Sequence, residues 1–266
     1  MIEKGKYGRV DGSPRFNVLE HLKKGELVLG ATLNIPDASV VEIMALAGFD
    51  YVWIDNEHNL YSRDELRAFI RAADACGLAS MVRTADIYSI AGLVDFGVSG
   101  LMIPQIRNAA QARDIVDRVK YIPNGRRGFC NTGRAHRYGE MSMKDYMKEC
   151  ETQPFLMLQI EDMEGYRNME EICAMPGVDI ICPGPGDLSQ ALGKIGQWDD
   201  EELAKVKNDI FACALRHGKE GMIPCDPTKV WDLVGQGVRM LAIGDDKVYL
   251  LNAFKEKVNL VRNWKK

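Results

Sequence analysis

The sequence is short of several things, and each shortage removes a class of function. Its 266 residues carry 34 Lys and Arg against 38 Asp and Glu, a formal net charge of −4. The basic excess that marks a nucleic-acid surface is missing. No apolar run reaches the length of a membrane span, and no apolar stretch follows the Lys-containing N-terminus as a signal peptide requires. Cysteine occurs at 76, 130, 150, 173, 182, 213 and 225, an odd number with no CxxC pair. That pattern speaks for reduced thiols in a cytoplasmic protein, not for a disulfide or zinc framework. There are four histidines, and no His/Cys ligand cluster is evident along the chain.

Two further absences concern chemistry. GATLNI, in the first predicted strand, carries no GxGxxG turn, so a dinucleotide-binding sheet lacks its phosphate loop. No predicted strand has an interior Lys. Lys219 precedes the seventh strand and Lys247 starts the last helix. Imine chemistry, which needs a desolvated amine inside the site, is disfavoured.

What is present is a regular alternation. Strands are predicted over 28–35, 49–57, 78–84, 99–106, 155–162, 178–187, 220–226 and 238–246, and helices over 37–48, 62–77, 87–97, 108–122, 163–177, 200–218, 228–237 and 247–264. Asp37 is placed as an N-cap, Ser62 and Glu65 form a capping-box pattern, and Gly48, Gly77, Gly97 and Gly237 stand just past helix ends. Eight strand–helix units predict an α/β fold, a (β/α)8 TIM barrel, in preference to an open doubly wound sheet with fewer strands. The chain reads as one domain over 1–266. It has an N-terminal extension (1–25), an irregular Gly- and Arg-rich loop plus extra helix (123–150), and a long C-terminal helix.

Catalytic groups of such a barrel sit at the C-terminal strand ends. Strand two ends in Asp55, Glu57 and His58, strand three in Arg83, strand four in Gln105, and strand five in Gln159, Glu161 and Asp162. Strand six runs into Gly184-Pro185-Gly186-Asp187. Period-two alternation puts Gln159 and Glu161 on one face, and strands five and six are neighbours about 5 Å apart. Glu161 and Asp187 are therefore placed to share a hard divalent cation, Mg²⁺ or Mn²⁺, rather than zinc. Each acid taken alone reads first as a helix cap or solvated loop group, and it is the pair on adjacent strand ends that brings the metal reading level. His58 is flanked by carboxylates that raise the basicity of an imidazole, as a general base needs, while His21, His136 and His217 have ordinary surface, loop and helix-end positions. Arg83 cannot lose its proton, so its expected role is oxyanion stabilisation.

The ordered set DNEH (55–58), VR (82–83), GRRG (125–128), QIE (159–161) and GPGDLSQALG (184–193) resembles the HpcH/HpaI aldolase family, metal-dependent class II aldolases that use pyruvate on a TIM barrel. The resemblance runs from about residue 27 to about 250. It implies Glu161 and Asp187 as metal ligands, with Mg²⁺, Mn²⁺ or Co²⁺ as the ion, and Gln159 as a polar residue beside metal water and pyruvate. It implies His58 as the catalytic His, Asp55 as the acid that orients it, and Arg83 as the contact to the keto or enolate oxygen. The backbone N–H groups of Gly186 and Asp187 are implied to receive the pyruvate carboxylate. The implied reaction is reversible cleavage of a 4-hydroxy-2-oxoacid to pyruvate and an aldehyde. The alternatives are a CoA-thioester lyase of the citrate-lyase β-subunit or malyl-CoA lyase type, and a catalytically silent binding barrel. A homo-oligomer, often a hexamer, with the last helix against a neighbouring subunit is also implied. The role of Glu57 is left open. The Arg-rich loop 126–137 is solvated by default, with Arg127, Arg134 and Arg137 as candidates for an anionic aldehyde tail.

Overall fold

The computed structural model describes residues 16–264, so residues 1–15 of the expected extension lie outside the described residues. The strands are β1 (Val28–Leu33), β2 (Tyr51–Asp55), β3 (Ala79–Arg83), β4 (Gly100–Ile103), β5 (Phe155–Ile160), β6 (Ile180–Pro183), β7 (Glu220–Pro224) and β8 (Met240–Asp245). They close in sequence order into a parallel barrel, with β1 also pairing β8. All eight predicted strands are present, and the closed barrel excludes the open sheet.

Local chemistry explains the helix boundaries. The Asp37 carboxylate accepts from Ser39 N–H, and the Ser62/Glu65 capping box is formed on both sides. Gly48, Gly77 and Gly97 end their helices at positive φ, a conformation that costs a Cβ-free residue little. The helix predicted over 163–177 divides at Asn168 into Met163–Arg167 and Met169–Cys173. Strand β6 stops at Pro183, and Pro185–Ala191 forms a short helix at the barrel mouth. Proline at the first helical position explains that early turn, since its fixed φ suits a helix start and its missing N–H is no loss there.

The pleat sorts the core into two parts. Outward-facing residues such as Val52, Ile54, Leu101, Leu156 and Ile181 pack under the helices, and inward-facing Tyr51, Trp53, Met81, Met102, Phe155 and Met157 fill the barrel. Two glycines make the filling possible. A Cβ at Gly30 would stand 2.4 Å from the Tyr51 ring, and one at Gly100 would stand 2.1 Å from the Phe155 ring. The described part of the N-terminal extension forms the helix Val18–Lys23, whose Val18, Leu19 and Leu22 join Phe16 against this interior. It is tied down by Asn17 Nδ2 donating to Thr152 Oγ1 at 2.8 Å.

The Arg-rich loop is placed by its partners. The Arg134 guanidinium is buried, pairs with Asp74 at 2.5 Å and donates to the Phe96 carbonyl at 3.1 Å. Arg127 is buried over the Tyr121 ring and donates to Tyr146 Oη at 2.7 Å. Asp74 and Phe96 stand near the ends of helices Arg63–Cys76 and Ile90–Phe96, the end opposite the catalytic mouth. Within its own chain, therefore, the loop is built into the wall, and neither Arg127 nor Arg134 meets a substrate at the mouth.

Candidate active site

The site begins with register. Asp55 and Arg83 are partners across β2 and β3, so their side chains enter the barrel at one level. Arg83 donates from Nε to Asp55 Oδ1 at 2.8 Å and from Nη2 to Oδ2 at 2.7 Å, a bidentate fork. Its guanidinium also stands 3.3 Å from Glu57 and lies over the Trp53 ring, 4.8 Å from the centroid. Burial alone would push the Asp55 carboxyl up, but the hydrogen bonds and charge of Arg83 outweigh it and hold the group below its ordinary range. Burial likewise opposes the Arg83 charge, and Asp55, Glu57 and Glu161 together raise its pKa further.

His58 stands in the turn after β2, its side chain 63% exposed, with Nε2 3.7 Å from Glu57. The carboxylate beside the imidazole is thus that of Glu57, while both oxygens of Asp55 are engaged by Arg83. The physical reason is the pleat: Asp55 is the last inward residue of the strand, whereas His58 lies beyond its end. Glu57 stands between the Arg83 guanidinium and the His58 imidazole, a role the sequence left open. Asn59 stiffens this turn, its Nδ2 donating to the Asp55 carbonyl at 3.1 Å and to Asn34 Oδ1 at 3.0 Å.

Across the mouth, Gln159 and Glu161 are buried at the end of β5. Glu161 Oε1 accepts from the Gln105 N–H at 2.7 Å, and Gln105 holds a left-handed φ of 58°. Glu161 Oε2 is buried with no hydrogen-bond partner, and so is Gln159 Oε1. Burial, followed by the negative charges of Asp187 and Glu57, pushes the Glu161 carboxyl up to about 8, against the opposing Gln105 N–H and Arg83. Gly184 opens the space in front of these groups, since a Cβ there would stand 2.4 Å from Glu161 Oε2 and 2.6 Å from Gln159 Nε2. Asp187 and Gly186, both exposed, lie in the first turn of the short helix beside it.

This donor set fits a divalent cation. A buried carboxylate oxygen without a partner, a second acid close enough to raise its pKa and a glycine that keeps the space clear are what a hard ion needs. Trp53 is the site residue that sequence reasoning passed over, while Gln105 and Gly184 were placed at strand ends without a role. Alternation back from Asp55 points to Trp53, whereas the left-handed turn at Gln105 carries no sequence signal.

A family profile described as HpcH/HpaI aldolase/citrate lyase matches residues 32–253, most of the chain. The chain belongs to that family. Among this HpcH/HpaI protein's relatives, a 2-dehydro-3,6-dideoxy-6-sulfogluconate aldolase of Pseudomonas putida is 34% identical, over 88% of this chain and 92% of the relative. A hydroxypyruvate/pyruvate aldolase of Pseudomonas aeruginosa is 31% identical over 89% of each. Among solved structures, the citrate synthase SbnG aligns with a TM-score of 0.86 at 28% identity, over 94% of this chain and 98% of that one.

Proposed function

We propose that this member of the HpcH/HpaI family is a divalent-metal-dependent pyruvate aldolase that reversibly cleaves a 4-hydroxy-2-oxoacid to pyruvate and an aldehyde. The observation that carries the reading is the unpartnered Glu161 oxygen facing the Gly184 gap, opposite the Asp55–Arg83 pair. Glu161 and Asp187 would hold the ion, with Mg²⁺, Mn²⁺ and Co²⁺ as candidates. When bound, it supplies Lewis-acid stabilisation of charge on the donor's keto oxygen.

The chain's own groups do the rest. Arg83, permanently charged and fixed by Asp55, faces the position where negative charge develops on the enolate oxygen. Its fork on Asp55 uses Nε and Nη2, so the remaining Nη protons, shared with Glu57, are left for that oxygen, and the water-poor setting strengthens the interaction. His58, with Glu57 beside it, takes the methyl proton of pyruvate in the synthetic direction and returns it on cleavage. Gln159 orients the donor, and the N–H groups of Gly186 and Asp187 receive its carboxylate. Lysine takes no part.

The chain is further read as one domain and as a homo-oligomer, with a hexamer as the candidate assembly, working in the cytoplasm. The oligomer reading rests on the helix Asp246–Arg262, of which Asp246 alone is buried, while Leu251, Phe254, Val258 and Val261 form an exposed apolar stripe. The compartment reading rests on seven free thiols, and no helix among the described residues is long and apolar enough to cross a membrane.

The test is a panel of pyruvate and hydroxypyruvate with succinic semialdehyde, lactaldehyde, glyceraldehyde and glycolaldehyde, run with several divalent metals. Activity is expected to vanish with chelator and to return with Mg²⁺, Mn²⁺ or Co²⁺; turnover after complete metal removal overturns the assignment. Similarity to a citrate synthase favours one second reading, in which the acceptor is an oxoacid ketone. Adding oxaloacetate as acceptor to the same panel separates the two.

A further inference from the structure

The helices Met169–Cys173 and Glu201–Arg216 lie on the outside of the barrel, after β5 and β6, and pack against each other. Along the sequence their cysteines and histidine are unremarkable. ExxC spans 170–173 and CxxxH spans 213–217, forty residues apart. Helical spacing puts each pair on one face, since residues three and four apart are neighbours there. Packing then brings the two faces together. Cys173 and Cys213 are both buried there, and Cys213 lies beside the Glu170 carboxylate. His217 Nε2 stands 2.9 Å from Glu170 Oε2. Ligand atoms of Glu170, Cys213 and His217 all lie within 4.8 Å of one another.

We propose that Glu170, Cys213 and His217 form a second metal site, distinct from the catalytic mouth and suited to a tetrahedral, thiolate-preferring ion such as Zn²⁺, with the fourth position left to solvent. A sulfur, an imidazole nitrogen and a carboxylate oxygen are a donor set that zinc takes, and that Mg²⁺ does not. The site has a polar, exposed side through Glu170 and His217, by which an ion can enter, and a buried side through Cys213. Binding releases the Cys213 thiol proton to solvent and replaces the His217–Glu170 hydrogen bond with two bonds to the ion. The Arg216 guanidinium, paired with the other oxygen of Glu170, fixes that carboxylate in place. The ion clamps the helix after β5 to the helix after β6, so its effect is on stability rather than on turnover.

The test uses the reduced, metal-stripped full chain and Co²⁺ as a spectroscopic probe. Glu161 and Asp187 offer only carboxylate oxygens, so a thiolate-to-cobalt charge-transfer band in the near ultraviolet, with intense visible tetrahedral absorption, that disappears with the Cys213 sulfur reports this site. The band is expected in the parent and in Glu161→Gln, and is expected to be lost in Cys213→Ser. Glu170→Ala and His217→Ala, at exposed positions, keep the fold available if the cysteine variant does not form it. Each should weaken Zn²⁺ binding, read by displacement of Co²⁺, roughly tenfold or more. Absence of the band in the reduced parent, its survival in Cys213→Ser, or unchanged Zn²⁺ binding in both surface variants overturns the proposal.

Discussion

At the scale of single residues, the site is a balance of buried charges. Arg83 and Asp55 are partners across two strands, and neither tolerates loss of the other. Arg83→Ala leaves Asp55 buried and unpaired, a change expected to cost about 3–5 kcal/mol in urea unfolding. The same variant should slow exchange of the pyruvate methyl protons in heavy water by roughly a hundredfold or more. Arg83→Lys keeps the charge but loses the fork, so it should recover much of the stability and little of the exchange. An unchanged exchange rate in both variants removes Arg83 from the chemistry. Glu161 has the opposite character. Its carboxyl, pushed up to about 8 in the fold by burial and by Asp187, holds a proton that the unfolded chain has already released. Its contribution to stability is fully present below the unfolded value and is lost as pH rises through about 8. The metal-free protein should therefore lose stability from about pH 5 to 8, and Glu161→Gln should flatten that slope. A cation reverses the sense, because the ionised carboxylate becomes the favoured form. The same profile recorded with saturating Mn²⁺ should be the flatter of the two.

At the scale of elements, the alternation of periods made the barrel legible. Buried strands of Val, Ile, Leu and Met read as strands whatever surrounds them, and capping residues such as Asp37 and Ser62 marked the helix starts. Strand ends then placed Asp55, Arg83, Gln159 and Glu161 at the mouth. Partner choice among those residues was not legible, because it depends on register. Asp55 faces Arg83 through a pairing of strands 28 residues apart, and nothing local indicates it. The left-handed turn at Gln105 and the wall position of Arg127 and Arg134 are likewise products of tertiary packing. Element geometry also makes Gly184 a sharp probe. Gly184→Ala would set a methyl group 2.4 Å from Glu161 Oε2, so Mn²⁺ affinity measured by calorimetry should fall, while the urea midpoint moves far less. By contrast Gly100→Ala, deep in the barrel against Phe155, should destabilise by ~1–3 kcal/mol or more and leave the affinity of the folded fraction unchanged. Equal effects of the two substitutions on Mn²⁺ binding would show that the gap at Gly184 is not a ligand space.

At the scale of the whole molecule, the stripe Leu251, Phe254, Val258 and Val261 repeats at alternating intervals of three and four, the spacing of a helix–helix seam. With 52% and 62% of Leu251 and Phe254 exposed, the chain carries more apolar helix surface than one protomer covers. Leu251→Asp combined with Phe254→Asp should reduce the mass seen by light scattering to that of a single chain. An unchanged assembly would place the contact elsewhere.

The filled barrel has its own consequence for traffic. Among the described residues, Tyr51, Phe155 and the helix Val18–Lys23 pack together across the floor of the barrel, so reactants and products are expected to share the entrance at the mouth. With the donor seated against Glu161 and Arg83, as proposed, the second reactant must arrive last and the first product must depart from above it. Such a vessel with a single opening enforces a sequence. Product inhibition should show pyruvate competitive against the cleaved oxoacid, and the aldehyde noncompetitive.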